Sequence, residues 1–147
     1  MLRPGSTILV LTMAACAIYD DPGVVYGPKD TMDQGDTVPP VIEHSPVEAA
    51  QTLGQDVDLL ATVTDDESGV FVVQVFYRQE TSSMWEDVVL LDLDGDGLFE
   101  GDIPGSDVMT GGMYYYIYAM DTRENETQMP EEGESDPWHF RISPDDG

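Results

Sequence analysis

Basic side chains are what this sequence most lacks. Five Lys and Arg stand against 30 Asp and Glu in 147 residues, for a formal net charge of −25. Arg3 lies in a segment expected to be removed, which leaves Lys29, Arg78, Arg123 and Arg141. A field of this sign repels phosphate backbones and so excludes nucleic acid as a partner. It also repels anionic lipid headgroups, while favouring divalent cations, cationic ligands and plain solubility. Cysteine is almost absent: Cys16 stands alone, so no intramolecular disulfide can form. The two histidines, His44 and His139, have no ligand pair at i+2 or i+4 and read as ordinary strand residues. There is no Gly-x-Ser-x-Gly, no phosphate-cradling glycine loop and no HExxH, so the chain is expected to be non-catalytic. No window sustains a 3.6-residue period, which argues against a helical fold.

The first sixteen residues, MLRPGSTILVLTMAAC, carry positive charge at Arg3 and an apolar run from Thr7 to Ala15. The run is shorter than the ~20 apolar residues a spanning helix needs and fits a cleaved export signal over residues 1–15. Met13-Ala14-Ala15-Cys16 resembles the lipobox of bacterial lipoproteins, with Met13 where that family has leucine. The resemblance implies lipidation of Cys16 and anchoring to a membrane through its acyl chains. Ala17, not Asp, follows the cysteine, which implies an exported protein of the bacterial cell envelope held at the outer membrane. Residues 16–38 are punctuated by Pro22, Gly23, Gly27, Pro28 and Gly35 with acids between. They read as a flexible acidic linker, and 144–147 as a disordered tail.

From Pro39 the texture changes to period two. Val57, Leu59, Ala61 and Val63 alternate with polar partners along DVDLLATVT. Further strands are expected at 41–47, 70–78, 85–91, 98–104, 112–120 and 137–143, with Pro46 marking an edge. Seven strands in about a hundred residues predict an all-β, two-sheet β-sandwich over 39–143. The expected core is Ile42, Val57, Leu59, Ala61, Val63, Val73, Val75, Tyr77, Val89, Leu91, Phe99, Ile103, Met113, Tyr115, Ile117, Ala119, Trp138 and Phe140.

VPPVIEHSPV, ATVTDDESGV, VVQVFYR, GLFEGDIP and YYIYAMD occur in the order and spacing of bacterial immunoglobulin-like, fibronectin type III-like modules. The chain resembles that family over residues 37–143. The resemblance implies an immunoglobulin-like sandwich serving as a spacer, an adhesive unit or a carbohydrate-binding accessory. In the family, the sixth strand runs into Asp-x-x-Gly-Asn; here Glu124 stands in the glycine's place.

Three stretches hold candidate chemistry. In LDLDGDGLFEG, Asp92, Asp94, Asp96 and Glu100, with the Leu98 carbonyl, have the spacing of oxygens that wrap one calcium ion. Position 12 of an EF-hand would be Ile103, and Pro104 forbids the following helix. The stretch therefore fits either a calcium-binding hairpin loop, similar to those of integrin-type propeller blades, or a bare Asp-Gly turn. Asp65, Asp66, Asp121 and Glu124 fall in loops at one end of a sandwich and could converge, with surface solvation the simpler account. Tyr114, Tyr116 and Tyr118 alternate with core positions and so form an outward stripe beside Phe76, a surface suited to a protein or glycan partner.

Overall fold

The computed structural model describes residues 35–144. The expected signal segment, Cys16, the linker up to residue 34 and the last three residues lie outside the described residues. The described residues form nine strands: β1 (Val41–Glu43), β2 (Gln51–Thr52), β3 (Val57–Thr64), β4 (Val70–Gln79), β5 (Glu86–Leu90), β6 (Leu98–Ile103), β7 (Gly111–Asp121), β8 (Glu126–Met129) and β9 (Trp138–Ser143). One sheet has the order β1-β3-β6. The other runs β2-β9-β7-β4-β5, with β8 also pairing β7. Strands β9 and β8 share one edge of β7, pairing with its first and second halves. The result is an all-β, two-sheet β-sandwich, with β1-β3-β6 packed on the larger sheet.

Burial follows the pleat. On β3 every second residue from Val57 is buried, and on β7 so are Met113, Tyr115, Ile117 and Ala119. These meet Val73, Val75, Tyr77, Phe140 and Ile142 in one core. At a corner of the sandwich, Leu91 and Glu100 exchange both backbone hydrogen bonds at 2.9 Å, tying the end of β5 to β6.

Several core expectations fail in instructive ways. Val89 and Leu91 point outward, 49% and 55% exposed, while Leu90 between them is 1% exposed. The segment VVLL is apolar in both phases, so alternation could not fix which phase faces in. Trp138 and Phe99 pack on the core only in part, and Val108 and Ile142 complete it. The first strand ends at Glu43, short of residue 47. The acidic segment after β7, expected as loop, contains β8, whose sequence ETQM carries no apolar alternation; backbone pairing to Ile117–Met120 makes it a strand.

A hydrogen-bonded relay pins the residues after β1 to the core. His44 Nδ1 lies 2.6 Å from the Leu60 carbonyl, so this nitrogen carries the proton and donates. Nε2 lies 2.9 Å from the Tyr115 hydroxyl and accepts from it. The Val47 N–H donates to the same hydroxyl at 2.9 Å. Burial pushes the His44 pKa down, partly opposed by the Leu60 bond. Burial also pushes Tyr115 up to about 12. His44 is thus more than an ordinary strand residue: it needs its neutral form here, because a protonated Nε2 has no lone pair with which to accept the hydrogen bond from the Tyr115 hydroxyl. The folded state therefore binds this proton more weakly than the unfolded chain. The corresponding stability is present above the ordinary histidine value and is lost as pH falls through the depressed folded value. Melting temperatures recorded between about pH 7 and pH 5 should fall more steeply for the wild type than for His44→Gln. Parallel curves would remove His44 from the account.

Candidate functional site

The LDLDGDGLFEG loop closes on itself. Asp92 Oδ1 accepts from the Gly95 N–H at 2.6 Å and the Asp96 N–H at 3.3 Å. Its Oδ2 accepts from the Gly97 N–H at 2.9 Å. The Gly97 amide, with those of Gly95 and Asp96, holds the Asp92 carboxyl below its usual range. Asp96 Oδ1 takes the Leu98 N–H at 3.0 Å. Gly95 and Gly97 adopt φ of 76° and 87°, a region glycine enters without steric cost. Asp94, Asp96 and Glu100 are exposed, and the loop is not a place where three ligating side chains gather.

Among the described residues such a gathering occurs at Asp36, Asp65 and Asp121, whose carboxylate oxygens lie within 4.8 Å of one another. Two of the four acids expected to converge do so. Asp66 and Glu124 are exposed and are not part of the group; the third member, Asp36, comes from the segment read as linker. Asp65 Oδ1 accepts from the Ser68 and Gly69 amides at 2.7 and 2.6 Å, shaping the turn after β3. Asp121 is 1% exposed and accepts from the amides of Arg123 and Asn125 at 2.7 and 2.9 Å and from Asn125 Nδ2 at 2.7 Å. Burial would raise its pKa, but these donors outweigh it and the carboxyl sits below its usual range. In the turn between β7 and β8, Glu124 adopts φ of 69°. Asp36 is drawn in through its carbonyl, which accepts from Asn125 Nδ2 at 2.9 Å. Its Oδ1 takes the Val38 N–H at 2.8 Å, while its Oδ2 is buried without a hydrogen-bond partner. The charge of Asp36 pushes the neighbouring Glu67 carboxyl up.

The tyrosines stand where alternation put them, on the outward side of the larger sheet. Register lays this face out in rows across the strands. Arg78, Tyr114 and His139 lie side by side, and the Arg78 guanidinium sits 5.0 Å over Trp85 and 4.5 Å over Tyr114. Next come Asp87, Phe76 and Tyr116, with Phe76 stacked on Tyr116 at 5.1 Å and 14°. The third row is Val89, Gln74, Tyr118 and Gln128, and the fourth holds Val72, Met120 and Glu126. Trp85 meets Tyr116 edge to face at 5.1 Å. Carboxylates rim the rings: the Tyr118 hydroxyl donates to Glu126 at 2.7 Å and Trp85 Nε1 to Glu134 at 3.1 Å. Burial and then the bond to Glu126 push Tyr118 up to about 12. Trp85 and Arg78 were missed as members of this face, although the period of two through Trp85, Asp87 and Val89 carried the signal for Trp85.

The two outward faces differ in charge. The smaller sheet turns Glu43, Asp58, Glu100 and Asp102 to solvent, with no basic residue on its strands. Asp58 pairs directly with Asp102; partial desolvation, with the charges of Asp58 and Asp56, pushes Asp102 up. The larger sheet's face holds Arg78, Arg141 and His139 together with Asp87 and Glu126, with Glu80 3.8 Å from His139 and Glu134 bonded to Trp85 at its rim.

No protein-family model matches the chain, and no curated protein matches it. Among solved structures, the crystal structure of beta-glucosidase from Listeria innocua in complex with glucose is similar at a TM-score of 0.42 and 15% sequence identity. The match covers 74% of this chain and 17% of that one. A likeness at that level carries nothing about activity or ligand.

Proposed function

We propose that this protein is a non-catalytic module of the bacterial cell envelope, exported, anchored at the outer membrane through lipid on Cys16, and engaging a partner through the outward face of its larger sheet. The observation that carries the reading is the ring surface of Tyr114, Tyr116, Tyr118, Phe76 and Trp85, continuous from strand to strand. An antiparallel sheet with one face on its core ordinarily turns polar residues to water on the other, and contiguous apolar surface marks an interaction site. A photo-reactive phenylalanine analogue at Tyr116, in the native cell, should give a cross-linked adduct, and the same group at Leu60 on the opposite face none. Equal labelling from both positions, or none from either, would end the reading. Mass spectrometry of the mature amino terminus should find an acylated Cys16. A product that retains Met1 and a free thiol would remove the anchor.

A second reading is favoured by the orphaned Oδ2 of Asp36: an adhesive or carbohydrate-binding module that depends on calcium. The donor set of Asp36, Asp65 and Asp121 is made of hard carboxylate oxygens, which suit calcium. On this reading the ion would sit there rather than in the Asp92–Glu100 loop. Calorimetric titration at up to about millimolar calcium should then give heat that is lost in Asp36→Asn and kept in the Asp94→Ala, Asp96→Ala double variant. The opposite pattern would restore the loop, and no heat from the wild type would dispose of both.

A further inference from the structure

We infer that a calcium ion held by Asp36, Asp65 and Asp121 works as a clamp, fastening the segment that leads into β1 to the turns that follow β3 and β7. The inference rests on the calcium reading above and adds what the ion does. The three carboxylates come from three separate stretches of chain. Asp65 belongs to the turn after β3 and accepts from the Ser68 and Gly69 amides. Asp121 ends β7 and accepts from the Arg123 and Asn125 amides. Thr122 ties these two turns together: its N–H donates to the Gly69 carbonyl at 3.0 Å and its hydroxyl to the Ser68 carbonyl at 2.8 Å. Two sides of the site are therefore set by the turns' own backbone.

Asp36 supplies the third side and is fastened differently. Its carbonyl accepts from Asn125 Nδ2 at 2.9 Å, and its Oδ1 takes the Val38 N–H two residues along the same segment. Its Oδ2 is buried with no hydrogen-bond partner, although oxygens of Asp36, Asp65 and Asp121 lie within 4.8 Å of one another. A buried carboxylate oxygen ordinarily meets a donor or a cation. Here carboxylates crowd it instead, and a hard cation answers both the orphaned oxygen and the gathered charge. What the clamp controls lies next to it. Val38, Pro39 and Pro40 line an apolar groove opposite Met129, Pro130 and Trp138. Strands β1 and β8 do not pair with each other, so the hold on Asp36 helps to place that wall, and losing the ion loosens it.

Hydrogen exchange read by mass spectrometry on the full chain tests this, with calcium alone as the probe against a chelator. Opening the clamped segment must release the ion. Exchange over residues 35–43 should therefore slow by one plus the ratio of calcium to its dissociation constant, about elevenfold at roughly ten times that constant. The constant comes from the calorimetric titration above. The Gly95, Asp96 and Gly97 amides of the Asp92 loop should not change. Asp36 stands outside every strand, so Asp36→Asn leaves the sandwich to fold, which unaltered exchange in β7 would verify, and it should abolish the slowing. Calcium heat that is lost in Asp36→Asn, with exchange over 35–43 unchanged in the wild type, overturns the clamp and leaves the ion site standing. Slowing that persists in Asp36→Asn overturns the clamp as well. Heat that survives Asp36→Asn, or no heat from the wild type, overturns both the clamp and the site.

Discussion

The pairing of β4 with β7 is the constraint on which the rest of the molecule depends. Its register runs from Val72 opposite Met120 to Gln79 opposite Met113, and its parity decides two surfaces at once. With this parity Tyr115, Ile117 and Ala119 join Val73, Val75 and Tyr77 inside, and Tyr114, Tyr116 and Tyr118 go outside. Reversing β7 by one residue would exchange the two sets and drive three hydroxyls into the core without partners. Tyr115 shows what burying a tyrosine requires. Its ring packs against Trp138 and Phe140, while its hydroxyl serves both His44 and Val47.

The strands that alternate cleanly were legible from sequence, because a two-residue period and a half-buried sheet are the same fact seen twice. Legibility ended where that period carries no information. The segment Val88-Val89-Leu90-Leu91 is apolar in either phase, so its inward residue is set by the partner, Val73 opposite Leu90. Strand β8 is set by backbone bonds to β7 and has no side-chain signature. Ile142 was within a strand that was found, but the expected core stopped at Phe140, one step of the pleat short.

The candidate sites divide along the same line. The tyrosine stripe needed only alternation and was readable, as was the shared end of Asp65 and Asp121, which follows from topology. Asp36 was not, since nothing local marks a residue held by Asn125 from 89 positions away. In the Asp92 loop, residue spacing could not separate an ion's ligands from a carboxylate that gathers its own turn's amides, because both put acids and glycines in one order.

The Leu91–Glu100 bridge has a consequence for how the two sheets part. Along that margin the layers are stitched by a reciprocal pair of amide bonds, so they cannot slide there without breaking backbone pairing. Along the opposite margin β1 faces β8 with no backbone–backbone bond between them among the described residues; side-chain packing holds the seam, together with side-chain hydrogen bonds such as those of Tyr115 to His44 and Val47 and of Asn125 to Asp36. The sandwich is bound like a book, with its spine at Leu91 and Glu100 and its free pages at β1 and β8.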